Sequence, residues 1–142
     1  MTHDAALEFA DEDGSAITAD VTLGDIDFAY SDIGSGKPLW LIVACTVTGT
    51  GAGTVNYQLR TAAATAGLAA GDIIMQSGEI VGTDHISGKL IYAAPLPTGL
   101  VLGRVRLRAE VTGTVGAVQL RAWIGSEPQT GVGVRTAIAA SA

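Results

Sequence analysis

Few residues in this chain have the types and spacing that chemistry needs. Gly34-Ser35-Gly36-Lys37 looks like the end of a phosphate-binding loop. Such a loop requires a glycine five residues before the Gly-Lys pair, a Ser or Thr after the lysine and a helix beyond. Here those positions hold Ser31 and Pro38, and a strand pattern follows. Gly49-Thr50-Gly51-Ala52-Gly53 lies between two strand patterns. A dinucleotide loop must instead open a helix whose N-terminal amides hold the pyrophosphate. The histidines are His3 and His85, and of the two only His85 directly follows an aspartate, Asp84. Adjacent strand residues point to opposite faces, so adjacency makes no dyad, and His85 reads as a loop histidine. Cys45, the single cysteine, falls in the inward register of its strand. It builds neither a disulfide framework nor a cysteine zinc site, and reads as inert packing. Asp11-Glu12-Asp13-Gly14 lacks the further oxygen ligands and spaced glutamate of a calcium loop. We therefore expect no catalytic residues, no metal and no cofactor.

What remains is a surface signal. Arg104, Arg106 and Arg108 project from one face of a strand, and Arg121 and Trp123 from the strand that follows. Arginine and tryptophan are enriched at interface hot spots. Trp40 and Trp123 both lie opposite the inward aliphatic register of their strands, and large exposed aromatics are costly in a monomer. These six residues are the candidate interface with another subunit or with a neighbouring acidic surface. Charge is distributed unevenly. Residues 1–36 carry nine acids and no Lys or Arg, whereas residues 37–142 carry eight bases and five acids. The net charge of −6 makes a poor nucleic-acid binder. The asymmetry suggests complementary contact between neighbouring copies, with Glu8, Asp11, Glu12 and Asp13 as candidate acidic-arm contacts.

Period-2 patterning dominates the elements that must position these residues. Arg104–Thr112 sends Val105, Leu107, Ala109 and Val111 inward. Val118–Ile124 does the same with Val118, Leu120, Ala122 and Ile124, and Thr54–Thr61 with Val55, Tyr57 and Leu59. Leu39–Val47 is apolar on both faces, so it is predicted to be central or covered twice. Shorter strands are predicted at Ala16–Leu23, Ile26–Tyr30, Ile73–Val81 and Lys89–Ala94. Thr61–Ala70 is at most one helical turn. A weak repeat, Val47-Thr48-Gly49-Thr50 and Val111-Thr112-Gly113-Thr114, precedes a strand each time and reads as two long hairpins.

With 142 residues the chain fits one domain. Its 48% hydrophobic content excludes a disordered chain. No apolar run reaches the ~18 residues of a membrane span. Without a signal-peptide pattern in Met1–Asp13, we expect the protein to be made and kept in a cytosol or built into something assembled there. The expected division is an N-terminal arm over 1–14, a β-sandwich domain over 15–124 and a C-terminal arm or tail over 125–142.

Read in order, the motifs resemble a known family. Leu7-Glu8-Phe9-Ala10-Asp11, Ala16-Ile17-Thr18, Asp25-Ile26-Asp27-Phe28 and Asp32-Ile33-Gly34-Ser35-Gly36-Lys37-Pro38-Leu39-Trp40-Leu41-Ile42-Val43 resemble the opening of small capsid cement (decoration) proteins of short-tailed phages. Leu96-Pro97-Thr98-Gly99, Arg104-Val105-Arg106-Leu107 and Val111-Thr112-Gly113-Thr114 are similar to later motifs of that family. Phe28-Ala29 departs from the family's Leu-Gly, and the tail from Gly125 is longer than its pattern. The patterning gives an all-β chain of about eight strands with extended arms at both ends, and the resemblance, over roughly 7–124, implies that the strands form a jelly-roll-like antiparallel sandwich. The resemblance also implies a homotrimer and no catalysis. The partner would be the major capsid protein, with no nucleic acid and no membrane, and the location the outer capsid surface of a virion made in the host cytoplasm. The alternative reading is a β-sandwich module binding glycans, for which Trp40, Trp123, Tyr30, Tyr57 and Tyr92 are the available platforms.

Overall fold

Alternating apolar and polar residues fold here as strands because each can bury one face and hydrate the other. A computed structural model describes residues 8–10, 16–28, 39–97 and 100–125. Its strands are β1 (Glu8–Ala10), β2 (Val21–Asp27), β3 (Trp40–Val47), β4 (Thr54–Ala62), β5 (Asp72–Val81), β6 (Leu90–Pro95), β7 (Arg104–Thr112) and β8 (Gln119–Gly125). Between β4 and β5, Thr65–Ala70 forms a short 3-10 helix.

The strands build two four-stranded antiparallel sheets, ordered β1-β8-β3-β6 and β2-β7-β4-β5. The pairs β1·β8, β2·β7, β3·β6 and β4·β5 are the rungs of one folded ribbon with its tip between β4 and β5. Rolling that ribbon until β8 meets β3 and β7 meets β4 produces the jelly roll. The fold is thus the expected all-β sandwich of eight strands.

Three expectations are corrected. The separate strands expected at Ala16–Leu23 and Ile26–Tyr30 give way to one strand, β2, that spans the break between them. Glu8–Ala10 falls in the span assigned to the N-terminal arm, yet it is the first strand of the sandwich. It pairs with β8, and Phe9 is buried in the core. The apolar Phe9 outweighs the acidic residues around it. The two repeat segments do not make hairpins either. β3 and β4 lie in different sheets, as do β7 and β8, so each repeat is a crossing between sheets. The two crossings pack on one another. Thr50 and Gly116 exchange backbone hydrogen bonds of 2.8 and 3.1 Å, and Gly53 N–H donates to Thr114 O at 2.9 Å. A Cβ at Gly53 would stand 2.6 Å from Thr112 O, so glycine is needed for this approach.

The core between the sheets includes Leu41, Val43, Tyr57, Leu59, Leu107 and Ile124, all fully buried. β3 is covered on both sides, as its two apolar faces require: on its outer face Ile42 and Ala44 are buried with Trp123. The β4–β7 ladder runs unbroken from Thr54↔Thr112 to Ala62↔Arg104. Every edge strand, by contrast, carries a register shift, and β5 carries two. Such irregularities twist edges away from one another and blunt edge-to-edge aggregation.

Candidate functional surfaces

Strand β7 sends Arg104, Arg106 and Arg108 to the outer face of the second sheet, as its alternation predicts. Each arginine meets a carboxylate of its own chain. The register sets Asp25 beside Arg106 and Asp27 beside Arg104 across the β2–β7 pair. Arg106 grips Asp25 through two bonds, Nε–Oδ1 at 2.7 Å and an Nη2–Oδ2 contact at 3.0 Å. Arg104 pairs with Asp27 at 3.1 Å, and Arg108 with Glu110 two residues on. Arg60 on β4 adds a 3.6 Å contact to Glu110 and donates to Ala69 O at 2.7 Å. Just before β2, Asp20 accepts from Val111 N–H at 2.7 Å. That bond holds its carboxyl below the usual aspartate range, with help from Glu110 and Arg108. The acidic N-terminal region and the basic C-terminal region therefore meet inside one chain. The signal was present in the sequence, since Asp25 and Asp27 share the two-residue period of Arg104 and Arg106.

Arg121 and Trp123 do not join this row. β8 lies in the other sheet, so they sit on the opposite outer face with Trp40. Trp123 is 2% exposed, packed with Ile42, Ala44, Trp40 and Leu90. The chain's own packing already accounts for its burial. Of the acidic-arm candidates, Glu8 heads β1, opposite Trp123 in register. Asp11, Glu12 and Asp13 lie outside the described residues, as do Gly34–Lys37, His3 and Tyr30.

The buried polar centre was not foreseen. His85 follows a 3-10 turn, Gly82–Asp84, and is in a loop as expected, yet it is fully buried. Its Nε2 lies 2.7 Å from the hydroxyl of Tyr57, also fully buried. Its Nδ1 lies 3.0 Å from Val81 O and 3.1 Å from Gly82 O. Two carbonyls can only accept, so Nδ1 carries the proton, and Nε2 accepts from the tyrosine. Both nitrogens are thereby occupied in holding the loop to β4. Burial pushes the Tyr57 hydroxyl well above the usual phenol range. Burial also pushes the Cys45 thiol up to about 11, and its Sγ–H donates to Val47 O at 3.0 Å. A thiol so held is a poor nucleophile. Asp84 is exposed while His85 is buried, so the neighbours form no dyad. Among the described residues no group of three His, Cys, Asp or Glu side chains is placed to hold a metal ion. Of the aromatic platforms a glycan would need, Tyr57 and Trp123 are buried, and Trp40 and Tyr92 are half-buried.

A family model described as Bbp16 matches residues 12–124. No curated protein matches the chain.

Proposed function

The chain belongs to the Bbp16 family, and from that premise we propose that it is a capsid cement protein of a tailed phage, bound to the outer surface of the head and bracing the shell. The observation that carries this reading is the order of the cement-protein motifs along one jelly roll. Asp25–Phe28 closes β2, Leu39–Val43 enters β3, and Arg104–Leu107 opens β7. The family match over 12–124 covers nearly the same stretch as the resemblance.

The physical case follows from the sandwich. A brace must stay soluble before assembly and keep its shape afterwards. Shifted edges serve the first need, and a core filled from both sheets serves the second. The outer face of the second sheet is the proposed contact with the major capsid protein. Its arginines and aspartates are paired yet partly open to solvent, with the Asp27 side chain 54% exposed. Contacts made by such groups are weak singly and screened by salt. Several copies, or several contacts per copy, then gain by effective concentration, so separating capsomers must break many at once. The homotrimer implied by the family resemblance belongs to this proposal.

The test is a pelleting assay. Purified protein is mixed with heads of the parent phage made without it, and bound copies are counted against the major capsid protein. The proposal expects saturable binding in large copy number that weakens as salt rises. Absence of binding to both mature heads and precursor shells would overturn it.

A further inference from the structure

Two exposed features lie at opposite poles of the sandwich. At the pole where β5 begins, Thr61, Asp72, Ile73, Ile74, Leu100 and Leu102 line a groove of about 370 Å³. Leu100, Leu102 and Ile73 are 52%, 47% and 45% exposed, the three most exposed large apolar side chains among the described residues. Their exposure follows from anchoring. Val101 is buried between the two leucines, and Thr61 Oγ1 accepts from Leu102 N–H at 2.8 Å while donating to Arg104 O at 2.9 Å. The Leu100–Leu102 side of the groove is thus anchored to β4. Asp72 stands in its wall, and among the described residues it has no ion-pair partner.

At the other pole, beyond the end of β5, Ile86–Lys89 forms a tight turn closed by Lys89 N–H donating to Ile86 O at 3.0 Å. Gly88 supplies the positive φ of 82°. The turn is pinned from beneath. Ser87 N–H donates to Thr48 Oγ1 at 3.0 Å, Ser87 Oγ–H to Thr46 O at 2.9 Å and Gly88 N–H to Cys45 O at 2.9 Å. The buried His85–Tyr57 bond fixes the residue before it. What this rigid turn displays is an isoleucine 40% exposed and a lysine with no ion-pair partner among the described residues. A turn already fixed in shape loses little entropy when it docks.

We propose that the turn Ile86–Lys89 of one copy docks into the Asp72–Leu102 groove of a second copy of this chain, Ile86 entering the groove and Lys89 pairing with Asp72. The two features cannot satisfy each other within one copy, because the ten residues of β5 hold them roughly 30 Å apart. A carboxylate and an ammonium, each unpaired and each beside exposed aliphatic groups, match in charge and polarity. The contact is heterologous, so repetition closes a ring or continues as a fibre.

Charge reversal tests it. The native mass of the wild type, Asp72→Lys, Lys89→Asp and the double variant is measured by sedimentation equilibrium across a concentration series, with circular dichroism confirming the fold. The wild type is expected to form multimers. Each single reversal should weaken self-association by about tenfold or more, and the double variant should restore it. In a second arm, Ile86→Cys combined with Leu100→Cys should crosslink between chains on mild oxidation, Cys45 being fully buried. A wild type that stays monomeric, reversals that leave the mass unchanged, a double variant without rescue, or no crosslink would each overturn the contact. Head binding is read by pelleting alone, so it can fail while this contact stands, and the reverse.

Discussion

Replacing Tyr57 with Phe removes one oxygen and almost no volume, so it isolates the bond to His85. The partner Nε2 lies 2.7 Å away, and neither residue has any exposed surface. Without the hydroxyl, Nε2 is a buried acceptor that has lost its donor. Leaving a buried polar group unsatisfied costs about 1–3 kcal/mol. For a domain of this size, the melting temperature should fall by about 3 °C per kcal/mol. Urea unfolding followed by tryptophan fluorescence would read the loss as a lower midpoint with an unchanged slope. His85→Leu alone should cost more, because it also strips a donor from Val81 O and Gly82 O. In the double variant the demand at Nε2 is gone with its donor, so a coupling of about 0.5–3 kcal/mol is expected. A Tyr57→Phe loss below about 0.3 kcal/mol, or additive single changes, would refute the bond as the clasp of this loop.

Three other outcomes follow from the same structure. Phe9→Ala should cost about 3–5 kcal/mol by calorimetry or urea unfolding, because Phe9 sits in the core; a negligible loss would return Glu8–Ala10 to the arm. A double-mutant cycle on Asp25→Ser and Arg106→Ser should give a coupling of about 0.5–1 kcal/mol in low salt that shrinks in 1 M NaCl, as partly exposed pairs do. Stability should fall as pH rises from 9.0 through about 11, because the native state keeps the Cys45 proton that the unfolded chain releases, and burial of Tyr57 adds to the fall at higher pH. Urea midpoints measured across that range would check it, and a flat profile would contradict it.

Most of the sandwich was legible because its strands are amphipathic over long runs. Arg104–Thr112 and Thr54–Thr61 alternate cleanly, and the structure pairs them as its one unbroken ladder. The two apolar faces of Leu39–Val47 correctly implied cover on both sides. The crossings were misread because Gly-rich reversals look alike whether the next strand pairs with its predecessor or moves to the other sheet. Periodicity encodes burial, and it does not encode which sheet a strand joins. That error also placed Arg121 and Trp123 beside the β7 arginines. β1 was missed because three residues carry too little pattern, although Phe9 was a signal. The Tyr57–His85 bond joins positions 28 apart in sequence, and no local pattern announces it.

The central claim is that the protein braces a shell, and binding alone does not establish bracing. The direct measurement is the survival of heads under graded heating and osmotic shock, with and without saturating protein, scored as intact particles and retained DNA. Heads carrying the protein should survive temperatures and dilutions that break bare heads, in proportion to the copies bound. Equal survival at full occupancy would contradict the account.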